Sequence, residues 1–337
     1  MKLRSISFAA FCNPLMDVLA HVGSRLLQTI GAQAGTMNLV EFEKAEGILR
    51  AIKSEYPSPP VMPGGSGANT ARGFSWLNRD AQLPPPLFFG AVGDDEMGRQ
   101  YREKLEQAGV RSGLATKRER TGFSVIAITP DGERTMFTHL GACRLFEEPD
   151  VDFSRIAEAG VLHLTGYMWD TDNQRRVAER AAAAALTSKT IVSLDLADPF
   201  VVSRYREALL EWVPRHVNLL FGNREEFALL CGTRENDEDI LARAREFASL
   251  VVMKVGERGA YVAEGGRTTL CPGMKVPVRD TTGAGDSFAG AFLYGYLQGR
   301  SPVACARLGN RLAAAIVAVE GCDYGALSYG DFSRNLE

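Results

Sequence analysis

Val161-Leu162-His163-Leu164-Thr165, then the alanine-rich stretch 172–186, then Thr190-Ile191-Val192-Ser193-Leu194-Asp195-Leu196 set out the architecture of this chain. Two short apolar runs bracket a stretch with helical spacing, and strands alternating with helices are the sequence form of parallel βαβ units. Reading outward, the rhythm predicts a helix over 201–212, a strand over 218–221 and helices over 224–230 and 237–249. A β-branched strand over 251–255 and helices over 287–297 and 303–319 complete it. The expected fold class is α/β, a doubly wound and mostly parallel sheet flanked by helices.

Two stretches break the rhythm. Residues 121–140 alternate around Asp131-Gly132, with Phe123, Val125 and Ala127 on one arm and Arg134, Met136 and Thr138 on the other. Alternation around Asp-Gly signals a hairpin. Residues 13–40, with Gly31, Gly35, Thr36 and Asn38, also suit short strands. These two features predict a small β lid from 13–40 and 114–140, on a large domain from 1–12, 41–113 and 141–337. Pro57, Pro59, Pro60 and Pro63 mark the return to the large domain, and Pro84 to Pro86 a loop before a strand at 87–91.

At 337 residues the chain can bury a sizeable core; its apolar and charged fractions, 45% and 23%, are ordinary for a globular protein. A net charge of −3 gives no reason to expect nucleic acid, so a small solute is the expected partner. Cys12, Cys143, Cys231, Cys271, Cys305 and Cys322 are scattered, without metal-ligand spacing, and read as reduced thiols of a cytoplasmic protein. Lys2 and Arg4 precede the apolar run 6–12, but Asn13, Pro14 and Asp17 interrupt it too early for a signal peptide, so a first strand is expected. No run reaches the roughly 18 apolar residues of a membrane span, so no membrane partner is expected.

The segment richest in chemistry is Asp280-Thr281-Thr282-Gly283-Ala284-Gly285-Asp286, directly before a helical run. Small residues at a helix start leave backbone N–H groups free to bind a phosphate. A carboxylate at such a site would repel the anion, so Asp286 needs another task; accepting the proton of an attacking hydroxyl is that task in phosphoryl transfer. A plain helix cap is the competing account.

In a second cluster, Gly64-Gly65-Ser66-Gly67-Ala68-Asn69, the glycines permit close backbone approach to a ligand and Asn69 offers a donor and an acceptor. No Gly-Lys dipeptide occurs, which argues against a Walker loop, and neither G-x-G-x-x-G nor G-x-S-x-G is present.

With these two motifs the chain resembles the ribokinase-like, or PfkB, family of carbohydrate and nucleoside kinases nearly end to end. The resemblance implies that Asp286 is the base, that Gly283, Ala284 and Gly285 form the anion hole, and that Arg134 reaches from the lid toward the transferred phosphate. Asn223-Arg224-Glu225-Glu226 matches the family's Asn-x-x-Glu element, whose Asn and Glu organise Mg²⁺ waters; an ordinary helix cap is the plainer account of this tetrapeptide. Lys254, Gly256 and Gly259 match the strand and turn over which the family lays ATP, and Asp280 is the candidate for a K⁺ site. Asn13-Pro14-Leu15-Met16-Asp17 is similar to the start of adenosine kinases, where the Asn and Asp hold the ribose. Tyr167 falls where those enzymes place a ring on the purine, although a residue at that position is more often core.

The resulting expectation is an ATP- and Mg²⁺-dependent kinase, with Asn13, Asp17, Gly64, Gly65, Asn69 and Tyr167 on the acceptor. Adenosine is the first acceptor and a free sugar the second. A metabolite-sensing protein on the same fold is the rival from another class. Either a monomer or a homodimer fits the resemblance.

Overall fold

The computed structural model describes residues 4–23, 37–80, 82–129 and 134–333. The first strand, β1 (Ile6–Phe11), is buried at every position, as a strand covered on both faces should be. In chain order there follow β2 (Leu15–His21), β3 (Met37–Leu39), α1 (Phe42–Glu55), β4 (Val61–Gly64) and α2 (Ser66–Leu77). Next come β5 (Leu87–Gly93), α3 (Glu96–Gln107), β6 (Arg111–Lys117), β7 (Phe123–Ile128) and β8 (Arg134–His139). The second half contributes β9 (Ala159–Thr165), α4 (Asp172–Ser188), β10 (Ile191–Asp195), α5 (Pro199–His216), β11 (Leu219–Asn223), α6 (Arg224–Cys231) and α7 (Asp237–Ala244). It closes with β12 (Leu250–Lys254), β13 (Gly259–Glu264), β14 (Arg267–Pro272), α8 (Ala284–Leu297) and α9 (Pro302–Val317).

The large sheet has nine strands in the order β14-β13-β12-β11-β10-β9-β1-β5-β6. Neighbouring strands pair in parallel except at one edge, where the reversed β13 pairs antiparallel with both β12 and β14. One face packs Phe74, Phe288, Phe292 and Leu312 from α2, α8 and α9; the other packs Val177, Leu209, Phe227 and Ile240 from α4 to α7. The chain winds from β1 to β5 and β6 on one side, then returns to β9 on the other. The strand order therefore switches at β1 and β9, and the crevice beyond their carboxyl ends is where open α/β sheets bind ligands.

The small sheet has five strands in the order β3-β8-β7-β2-β4. It draws on a segment that the sequence reading gave to the large domain, because β4 pairs antiparallel with β2. Pro63 disguises β4: proline cannot donate to a ladder and is tolerated here because β4 is an edge strand. Conversely β6 pairs with β5 through Lys117, so residues up to 117 belong to the large sheet. The arms β7 and β8 pair antiparallel as predicted, while the expected turn at Asp131-Gly132, like Gly31, Gly35 and Thr36, lies outside the described residues. The predicted helix 237–249 stops at Ala244; Glu246 and Phe247 instead donate to carbonyls three residues back, a tightened final turn.

Side-chain alternation divides the small sheet cleanly. Met16, Ala20, Val125 and Phe137 face α1, which covers them with Phe42, Ala45, Ile48 and Ile52. Leu15, Asp17, Ser124, Ile126, Arg134, Met136 and Thr138 share the opposite face and line the cleft. Among the described residues no helix is long and apolar enough to cross a membrane.

Candidate active site

Asp286 stands in the first turn of α8, which begins at Ala284 and not after Asp286 as the sequence suggested. Gly283 is the N-cap in the left-handed region (φ 71°), where a Cβ would overlap Cys322 Sγ. Asp286 therefore does not cap the helix. Its carboxylate accepts from Ser66 Oγ at 2.6 Å and from Asn69 Nδ2 at 3.0 Å. Burial pushes this carboxyl above the ordinary carboxylate range, and the two hydrogen bonds pull it back. A base poised in this way can take a hydroxyl proton, and Ala284 and Gly285, which open α8 ahead of it, line the same cleft.

A polar wall of the cleft comes from the ends of β1, β2 and β4 and from α2. Asn13 is buried, its Oδ1 accepting from Gln174 Nε2, and Gly65 (φ 89°) turns so tightly that a Cβ would overlap the Asn13 carbonyl. Asp17 is 8% exposed, and burial raises its carboxyl to about 7 against the pull of Arg72 and Arg134. No group hydrogen-bonds this carboxylate among the described residues, so its oxygens are free to accept from a ligand.

Across the cleft, Lys254 Nζ donates to Asp195 Oδ2 at 2.7 Å, an ion pair with side chains 16% and 3% exposed. Asn223 and Glu226 form a reciprocal capping box at the start of α6, with Asn223 N–H on Glu226 Oε2 at 2.7 Å and Glu226 N–H on Asn223 Oδ1 at 2.9 Å. The helix cap is thus realised, and it fixes the Glu226 carboxylate in the cleft. Burial drives that carboxyl well up, with the Lys254 charge as the main opposing influence. Gly256 (φ 61°) and Gly259 (φ 104°) shape the turn before β13.

Arg134 reaches down from the small sheet, donating from Nη1 to Thr282 Oγ1 at 2.8 Å and lying 4.0 Å from Asp280 Oδ1. Asp280 is buried beneath the loop. Its Oδ1 accepts from Thr282 N–H at 2.8 Å and Thr282 Oγ1 at 2.7 Å, and its Oδ2 from Gly321 N–H at 2.8 Å. Among the described residues no group of three or more His, Cys, Asp or Glu side chains could hold a metal ion.

One cleft of about 850 Å³ gathers every site residue expected from the sequence except Gly64 and Asp280. Sequence reasoning missed three contributors: Ser66 as a direct partner of Asp286, Arg72, and Asp195. Asp195 carried a signal, since it closes a parallel strand at the carboxyl end of the sheet. Ser66 and Arg72 flank Asn69 by one helical turn on either side, a relation visible only once α2 is known to start at Ser66.

A family model described as pfkB family carbohydrate kinase matches residues 34–328. The chain belongs to the pfkB family. It is accordingly a phosphotransferase that acts on an alcohol group. An adenosine kinase structure from Sinorhizobium meliloti superposes with a TM-score of 0.91 at 29% identity, covering 99% of this chain and 100% of that one. An adenosine kinase of Schizophyllum commune is 28% identical over 91% of this chain and 94% of its own length. An uncharacterized sugar kinase of Archaeoglobus fulgidus is 27% identical over 71% of this chain and 93% of its own. The pfkB relatives thus include both nucleoside and sugar kinases, and this chain is a kinase of that nucleoside or sugar class.

Proposed function

We propose that this pfkB kinase transfers the γ-phosphate of ATP to the 5′-hydroxyl of a purine nucleoside, adenosine first. The observation that carries the reading is the two-part acceptor wall. Asn13, Asp17 and Asn69 form a polar patch suited to a vicinal diol, and Leu15, Leu39, Ile126, Met136, Leu140 and Tyr167 extend it with an apolar, partly aromatic surface. A ribose uses the first part and a base the second; a free sugar leaves the second without an occupant. The adenosine kinases similar to this chain support the choice.

In this mechanism Asp286 removes the proton as the acceptor hydroxyl oxygen attacks the γ-phosphorus. The new O–P bond forms while the bond to the ADP oxygen breaks, and the proton stays on Asp286 until product leaves. The amides of Gly283 to Asp286 stabilise charge on the moving phosphoryl group. Lys254 and Arg134 supply positive charge on either side. The buried, uphill Glu226 carboxylate suits a hard cation held through water, so Asn223 and Glu226 are the residues that would hold Mg²⁺. Mg²⁺ neutralises charge on the phosphates when bound.

Formation of ADP by the purified protein with ATP, Mg²⁺ and a panel of adenosine, other nucleosides, ribose and fructose tests the reading, with Asp286→Asn in parallel. Turnover on adenosine that falls by about 10²–10⁴ in the variant, with adenosine binding retained, is expected. Turnover on a free sugar alone would move the acceptor to the second reading, which the Archaeoglobus fulgidus relative favours. Binding without turnover on any acceptor would bring the sensing protein forward.

A further inference from the structure

Arg72 has no place in the chemistry described so far, yet its guanidinium is tied to three segments that meet behind the base. Nη1 donates to the Pro63 carbonyl at 2.8 Å and to Asn69 Oδ1 at 3.3 Å, and Nη2 donates to the Cys322 carbonyl at 3.1 Å. The same group lies over the Tyr324 ring, 5.4 Å from its centroid. Among the described residues no carboxylate pairs with it, so its donors are spent on carbonyl and amide oxygens rather than on an ion pair.

From the contact with Asn69 we infer that Arg72 is a positioning residue for Asp286, acting through the orientation of the Asn69 amide. An asparagine amide can present either end to a neighbour, and only the Nδ2 end can donate to a carboxylate. Asn69 has its Nδ2 on Asp286 Oδ2. A guanidinium is a donor only, so its contact with Oδ1 holds the oxygen away from Asp286 and the Nδ2 end toward it. The pair is three residues apart on one face of α2, which makes the contact a property of the helix. The backbone end of Asn69 is held independently, because its carbonyl accepts from Tyr324 Oη at 3.0 Å and Tyr324 Oη in turn bonds Ser287 Oγ at 2.7 Å. Residues on α2 and α8 are thereby locked together, and Arg72 adds the rotational choice of one amide. Without it the Oδ1 end can swing toward Asp286, placing lone pairs against a carboxylate and loosening the base.

The inference rests on the reading of Asp286 as the base, and a double-mutant cycle separates the two. Turnover with ATP, Mg²⁺ and adenosine is measured for the wild type, Arg72→Met, Asn69→Ala and the double variant, with Asp286→Asn alongside. The expected result is that Arg72→Met lowers kcat about tenfold, the scale of a hydrogen bond to a charged group. On the Asn69→Ala background the same change should cost less than about twofold, because the residue it acts through is gone. Arg72→Lys keeps the charge but not the fork and should behave like Arg72→Met; it replaces that variant in the cycle if the methionine protein does not fold. Equal factors on both backgrounds, or an effect confined to KM or to Tm, would overturn the positioning role while an inactive Asp286→Asn left the base in place. Near wild-type turnover in Asp286→Asn, or no wild-type turnover on any acceptor of the panel, would overturn the base reading and this inference with it.

Discussion

Gly64 and Asp17 are in such close register across the β2–β4 edge that a Cβ on Gly64 would overlap the Asp17 carboxylate. The glycine is what lets a buried, unbonded acid turn toward the cleft. Gly64→Ala should therefore displace Asp17 at a cost of about 1–3 kcal/mol of overpacking. A lowered Tm together with a raised KM for the acceptor, and little change in KM for ATP, is the expected pattern. An unaltered acceptor KM would show that Asp17 does not bind it.

Tyr167 separates the two acceptor readings. Tyr167→Ala should weaken a nucleoside by about 1–3 kcal/mol, a range borrowed from base–aromatic stacking, and leave ribose or fructose unaffected. Calorimetric titration of both ligand classes into both proteins checks it.

Lys254 and Asp195 should show the asymmetry of buried ion pairs. Lys254→Met leaves the buried Asp195 charged and without its counter-charge and is expected to cost about 3–5 kcal/mol of stability. Changing Asp195→Leu in the same chain should recover most of that loss in a denaturation curve. Activity should not recover, because the cation beside Gly285 is still missing.

Asp17 also predicts how stability depends on pH. Its carboxyl rises from 3.8 in the unfolded chain to about 7 in the fold, with Arg72 and Arg134 facing it as cations and Asp286 and Asp280 as acids. Between those values the folded state holds a proton that the unfolded chain has released, so its contribution to stability declines as pH rises toward 7. Asp17→Asn should flatten the fall in Tm between about pH 4 and pH 7. Adenosine affinity should instead climb as pH rises past about 7 in the wild type, if ionised Asp17 accepts from both ribose hydroxyls; a flat profile would count against that role.

The alternation of strands and helices from β9 onward was legible because each element is long enough to show its own period. The small sheet was legible only in its hairpin arms. Its β4 edge has four residues including Pro63, and its pairing with β2 is decided across the chain, not within it. The same holds within the cleft. The loop at 280–286 and the glycine cluster are local motifs and could be read as such, whereas Ser66 on Asp286, Arg72 on the Cys322 carbonyl and Lys254 on Asp195 are meetings of distant segments that carry no periodic mark.

Arg134 belongs to the small sheet yet hydrogen-bonds Thr282, in the loop that leads into α8 and the proposed phosphate site. A ligand on either side that recruits this guanidinium changes the state in which the other ligand finds the protein. Thermodynamic linkage then makes the effect mutual: whatever factor the phosphate donor imposes on acceptor affinity, the acceptor imposes on the donor. A single arginine thereby gives the two half-sites a shared interaction energy.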